Sequence, residues 1–230
     1  MEITSSNTPE TRITTAMHAA MHPPALRLLA RFSSWVFHPI FIPLYVTWFL
    51  VFVHPSFFAG FSVESRTRVI MLIALNAVFF PLVTVLLLRA LKFIDSIYLR
   101  TQRDRIIPYV ASMTFFFWTQ YVLREQTLIP RVLVSFMFGV FIASAASLIA
   151  NIYQKVSMHT VGMGGLVGIF VVIAWRNPES IPVPLAIATI IAGWVGTARL
   201  LVSDHAPSEI RLGYLIGFVC QLAGAVMFSW

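Results

Sequence analysis

Apolar residues run through this chain in long continuous stretches, not in alternation. Seven stretches stand out: 35–53, 69–91, 106–123, 132–153, 160–175, 181–202 and 210–230. Continuous runs of this length read as helices, and about 20 helical residues cross the ~30 Å hydrocarbon core of a bilayer. A helix satisfies its own backbone in lipid and an open strand does not, so pattern and solvent select the same element. The first run is interrupted by His38-Pro39 and by Pro43, and the fifth is the shortest, opening on Gly162, Gly164, Gly165 and Gly168. The connections 55–65, 92–105, 124–131, 154–159, 176–180 and 203–209 are short, which makes successive spans antiparallel neighbours in one domain. The expected fold class is all-α, a polytopic transmembrane helical bundle of six or seven spans.

Ahead of the first run, residues 1–24 form a polar tail rich in Ser and Thr and closed by Pro23-Pro24. Residues 25–34 place Arg27 and Arg31 four apart among Leu26, Leu28, Leu29 and Phe32. That pattern fits a basic amphipathic helix lying on the membrane surface, or an extension of the first span. Residues 35–230 form the single membrane domain. Gly164/Gly168 and Gly213/Gly217 are each four apart, a spacing that lets helices approach closely.

Composition agrees with the pattern. The chain has 230 residues, 58% hydrophobic and 11% charged, whereas soluble domains carry about 25% charged residues. The net charge of +7 comes from 16 Lys and Arg against 9 Asp and Glu. These basic residues sit at span ends, which points to anionic headgroups or an anionic substrate and away from nucleic acid. The one cysteine, Cys220, lies in an apolar run and has no partner for an internal disulfide. Residues 1–24 contain no apolar core of a secretion signal.

Because spans alternate in direction, the loops after the second, fourth and sixth spans share a face with the N-terminus. Those loops hold Arg100, Arg103, Asp104, Arg105, Lys155, Ser157, His159, Asp204, His205 and Glu209, with Arg199 a turn or two earlier. The opposite loops hold one histidine, His54. Ionisable residues near a membrane are costly and mark functional sites. Clustered arginines grip phosphate bidentately, a neutral imidazole attacks phosphorus, and a second imidazole protonates the leaving oxygen. The plainer alternative is a set of interfacial anchors and helix caps.

The loop into the last span reads Ala198-Arg199, five residues, His205, three residues, Glu209. This resembles the third signature of the type 2 phosphatidic acid phosphatase family, Ser-Arg-x5-His-x3-Asp. Val156-Ser157-Met158-His159 is similar to the second signature, Pro-Ser-Gly-His. The stretch from Arg100 through Arg103 and Arg105 to Pro108 is a looser likeness of the first, Lys-x6-Arg-Pro. The three occur in the family's order over roughly Arg100 to Glu209. Met158 stands where the family has glycine, Glu209 where it has aspartate and Ala198 where it has serine.

The resemblance implies roles residue by residue. His205 matches the nucleophile that forms a phospho-histidine, Glu209 the carboxylate that orients it, and His159 the general acid. Arg199 matches a phosphate clamp and Ser157 a phosphate hydrogen-bond donor. Arg105 or Arg103 stands in for the first signature's arginine, and Arg100 for its lysine. The implied activity is membrane phosphatase hydrolysis of a lipid phosphate or diphosphate, without metal or other cofactor. Implied partners are the lipid substrate and surrounding membrane lipids. The rival is a non-catalytic lipid-phosphate binder or transporter that keeps the pocket.

Independently of the resemblance, Pro207 suits the first position of a helix, which puts Glu209 in the first turn within reach of His205. Asp204 is expected to cap that helix, and Glu209 itself could serve only the helix dipole. His38-Pro39 is expected to shape the start of the first span. His18, His22 and His54 read as interfacial or disordered. Asn76, Asn151, Gln120 and Gln221 lie within spans and are expected to bond across helices. Only Arg66, Arg68, Arg124, Arg131 and Arg176, of the 16 basic residues, fall on the face away from the motifs. Raw counting under the positive-inside rule puts the motif face in the cytoplasm. Setting aside Arg100, Arg103, Arg105, Lys155 and Arg199 as substrate ligands removes that bias, and resemblance to bacterial members favours an outward site in the inner membrane.

Overall fold

The computed structural model describes residues 23–94, 102–178, 181–202 and 205–228, apart from the side chains of Pro55, Gln102 and Arg103. The N-terminal tail with His18 and His22, Arg100 and Asp204 lie outside the described residues. Among the described residues every regular element is helical. Helix α1 (Pro24–Val36) leads through a 3-10 turn at Pro39–Phe41 into α2 (Ile42–Trp48) and a π turn at Phe49–Val53. Helix α3 (Val63–Ile73) passes through a π stretch at Ala74–Phe79 into α4 (Phe80–Ala90). Then come α5 (Gln102–Glu125), α6 (Arg131–Tyr153), α7 (Met158–Arg176), α8 (Pro182–Val202) and α9 (Pro207–Met227). Seven stretches are long and apolar enough to cross a membrane: Pro24–Val53, Val63–Ala90, Asp104–Glu125, and α6 to α9. The protein is an integral membrane protein, an all-α polytopic bundle.

Prolines set many of the boundaries. Pro24, Pro182 and Pro207 open their helices, where the missing N–H costs nothing. Pro39 pushes Phe37 and His38 out of helical geometry, and His38 takes φ −63° and ψ 135°. Pro43 differs from expectation: it sits in the first turn of α2 and interrupts nothing. Pro81 lies inside the second span just after the π stretch, a widening that relieves the ring's clash with the preceding turn. Asn76, in that stretch, donates to Leu72 O of its own helix at 3.0 Å instead of bonding across helices.

Three other boundaries depart from the hydropathy pattern. The second span starts at Val63, where Ser62 Oγ accepts from the Ser65 N–H at 3.2 Å and nucleates the helix ahead of its apolar part. The fifth span starts at Met158, so His159 stands in a helical first turn and not in a connection. Helix α9 takes Ala206, not Asp204, as its N-cap position, because Glu209 reaches back to the Ala206 N–H at 3.3 Å.

Helices α6 and α7 form the most enclosed layer, with α9 packed across both, α5 outside α6, α8 outside α7 and α1 against α8. Leu133, Phe136, Met137, Met163, Ile169 and Ile173 are fully buried there. The outer helices leave large apolar side chains bare, Ile190 at 71% and Val226 at 82% exposure, as lipid-facing surfaces do. Lipid is itself apolar, so helix association rests on close packing. Helices α7 and α9 show this most clearly. A Cβ on Gly217 would run into the Val161 carbonyl oxygen and come within 2.7 Å of the Gly165 nitrogen, and one on Gly164 would strike the Tyr214 backbone. Deeper in, Gln221 is buried and donates to Phe136 O at 3.3 Å, the cross-helix bond expected of it.

Candidate functional site

The N-termini of α7 and α9 come together where their glycines touch, and both carry site residues in their first turns. The Ser157 N–H donates to Glu209 O at 3.4 Å, tying the two starts to each other. A small apolar layer of Ala143, Val156 and Val161, with Met158, Leu212 and Ile216 against it, lies beneath. Two helix N-termini side by side present unpaired N–H groups and positive potential to the same space.

His205 precedes α9 and donates from Nδ1 to Glu209 Oε2 at 2.6 Å. The His205 side chain is 5% exposed and that of Glu209 17%. With Nδ1 carrying the proton, the neutral ring keeps its lone pair on Nε2. Burial pushes the His205 pKa down, the Glu209 carboxylate pulls it up, and Lys155, Arg199 and Arg105 push it down again, for a net lowering. The ring is therefore neutral at pH 7 despite its carboxylate partner.

His159 lies on the second residue of α7. Its Nε2 donates to Ser34 O at 2.9 Å, a carbonyl left open where α1 ends. The neighbouring α1 carbonyls are also taken: Ser33 O by the Phe37 N–H, Trp35 O by the His38 N–H, and Val36 O by the Tyr45 hydroxyl. Trp194 of α8 donates to Ser33 Oγ at 2.7 Å and pins α1 in place. His159 thus has one nitrogen fixed by the first span and its Nδ1 left for chemistry.

Arg199, near the end of α8, is half-buried and close enough to act electrostatically on His159, His205 and His38 alike. Arg105, near the start of α5, is 8% exposed and donates to Val156 O at 2.8 Å. It acts on His205 and Glu209 while holding the chain that leads into α7. Ser157 is fully buried, with no hydrogen-bond partner for its hydroxyl. Met158, where the family signature has glycine, accepts from the Tyr109 hydroxyl through sulfur at 2.6 Å.

The structure therefore brings His205, Glu209, His159, Arg199 and Arg105 into one neighbourhood, with Ser157 beneath it. Arg100 and the side chain of Arg103 lie outside the described residues. His54 is remote in the fold, bonded to Ser56 Oγ at 2.8 Å beyond the other end of the first span. Sequence reasoning missed two residues. His38, assigned only to shaping the span, stands with its ring centroid 5.3 Å from that of His159. Tyr109 carries no motif at all. For His38 the available signal was a histidine at a helix break on the same face as the motifs.

Three cations, Arg105, Lys155 and Arg199, act on His205 against one carboxylate, Glu209. Among the described residues no three His, Cys, Asp or Glu side chains gather as a metal ion requires. The arrangement suits an anion with a reacting centre between two imidazoles. Below it, an apolar groove of about 490 Å³ opens between α7, α8 and α9, lined by Gly164, Val167, Gly193, Tyr214, Leu215 and Phe218 among others. In comparison with known proteins, no family model, no curated protein and no solved structure matches the chain.

Proposed function

We propose that the protein is a metal-independent lipid phosphate phosphatase, a divergent member of the type 2 phosphatidic acid phosphatase family. The observation that carries this reading is the His205 Nδ1 to Glu209 Oε2 bond, which leaves the Nε2 lone pair open on a ring within electrostatic reach of His159 and Arg199. In the proposed reaction, His205 Nε2 attacks phosphorus and the bond to the leaving oxygen breaks. His159, which takes up a proton on Nδ1 together with the anionic substrate, gives that proton to the leaving oxygen. Water then attacks the phospho-histidine and gives a proton back to His159, and inorganic phosphate leaves. Arg199 and the two helix N-termini stabilise the charge on the equatorial oxygens. The ester or diphosphate of the substrate sits at the cluster, and its tail lies in the groove between α7, α8 and α9, which starts one to two turns from His159, Arg199 and Glu209. The bacterial inner membrane with an outward-facing site is part of the same proposal.

The test offers purified protein phosphatidic acid, phosphatidylglycerol phosphate and undecaprenyl diphosphate with EDTA present. Phosphate release is expected in the wild type. His159→Ala should lower it by about 10²–10⁴-fold, and His205→Ala at least as much. Binding of these lipids without release would replace the enzyme with the non-catalytic binder or transporter.

A further inference from the structure

We infer that His38 is a third imidazole of the anion site, a substrate-contacting residue that donates its Nε2–H to an oxygen of the bound phosphate on the side held by His159. This rests on the reading that the pocket holds a phosphoryl group. The family signatures contain no counterpart of His38, and only the fold brings it to them.

Four observations carry the assignment. The first span is broken at Pro39, and the break turns His38 toward α7, where its ring meets that of His159 edge-on at 82°. Nδ1 of His38 accepts from the Ile40 N–H at 3.4 Å, so the neutral ring carries its proton on Nε2, the nitrogen facing away from its own backbone. Arg199 acts on His38 and His159 together, whereas His159 is the ring that also feels His205. The order across the site is therefore His38, His159, His205, with Arg199 reaching all three. Finally, His38 is exposed whereas His159 and His205 are both half-buried, which puts His38 at the mouth, on the side of His159. A ring this polar in a membrane span is costly unless it is used.

The rival role for His38 is that of a helix cap alone, through Nδ1. Asparagine places an acceptor where Nδ1 stands and has no distal donor. Glutamine places an N–H where Nε2 stands and loses the cap. The full-length protein in detergent is titrated with inorganic phosphate by calorimetry, assayed for phosphatidic acid hydrolysis, and melted. His38→Asn and His38→Ala should weaken phosphate binding and raise KM about tenfold, while His38→Gln stays within about threefold of wild type. The reverse order, or three variants that all bind as wild type does, overturns the assignment. So does His38→Gln losing phosphate with an unchanged melting temperature. If His38→Gln melts early, a His38→Asn protein that melts normally and still binds phosphate overturns it as well. Wild type that binds phosphate but releases none sinks the phosphatase reading, and the variants' affinities still decide His38. Wild type that neither binds nor releases phosphate sinks both.

Discussion

In the proposed reaction His205 must be neutral to attack, and its neighbours pull its protonation in opposite directions. Burial and three cations favour the neutral ring, and Glu209 favours the charged one, with the neutral side prevailing. The acid limb of kcat/KM is therefore expected below the ordinary imidazole value of 6.5. Glu209→Gln removes the one contribution that raises this pKa. Its acid limb should move to still lower pH, while turnover falls about a hundredfold or more because the ring loses its fixed tautomer. Comparing the two profiles on one substrate cancels the substrate's own titration. A limb that moves to higher pH would mean that Glu209 is not the group facing Nδ1.

At the scale of helices, α7 and α9 carry the two proposed catalytic imidazoles, and glycines hold them in contact. Gly217→Ala forces a methyl against the Val161 carbonyl and the Gly165 nitrogen, both backbone atoms with little room to give. It should destabilise the protein by about 1–3 kcal/mol and cut activity by parting His159 from His205. Val226, on α9 itself, is 82% exposed and is not among the residues lining the groove, so Val226→Ala is the control that should change neither. Thermal melting alongside phosphate release reads both effects. The same close approach explains why Gly164, Gly165 and Gly168, legible as a packing motif, serve α9, while Gly162 meets Pro39 and Ile42 of the first span.

At the scale of the molecule, seven spans place the C-terminus on the face opposite the histidines. With an outward site, a fluorescent protein fused after Trp230 should light up in the bacterial cytoplasm, and a periplasm-dependent alkaline phosphatase at the same point should stay inactive. The opposite pattern would turn the site inward, as the raw count of basic residues favours. The number of spans to within one, the antiparallel order and the shared face of His159 and His205 were legible in the sequence, because hydropathy and parity are local properties summed along the chain. Helix starts were less so: Ser62, Met158 and Ala206 begin helices through caps and first-turn bonds that apolar content does not reveal.

The tertiary structure alone decided which polar groups meet. The rotation of each helix about its axis determines whether a residue on the motif face points into the bundle or out to lipid, and glycine contacts between α7 and α9 set that rotation. So Arg105 is found holding Val156 as well as facing His205, Ser157 is sealed beneath the site, and Ser34 contributes a carbonyl. His38, more than a hundred positions from its neighbour His159, enters the cluster because a proline breaks the first span beside them. A hydropathy pattern fixes depth in the membrane, but distance between side chains across helices follows only from how the helices pack.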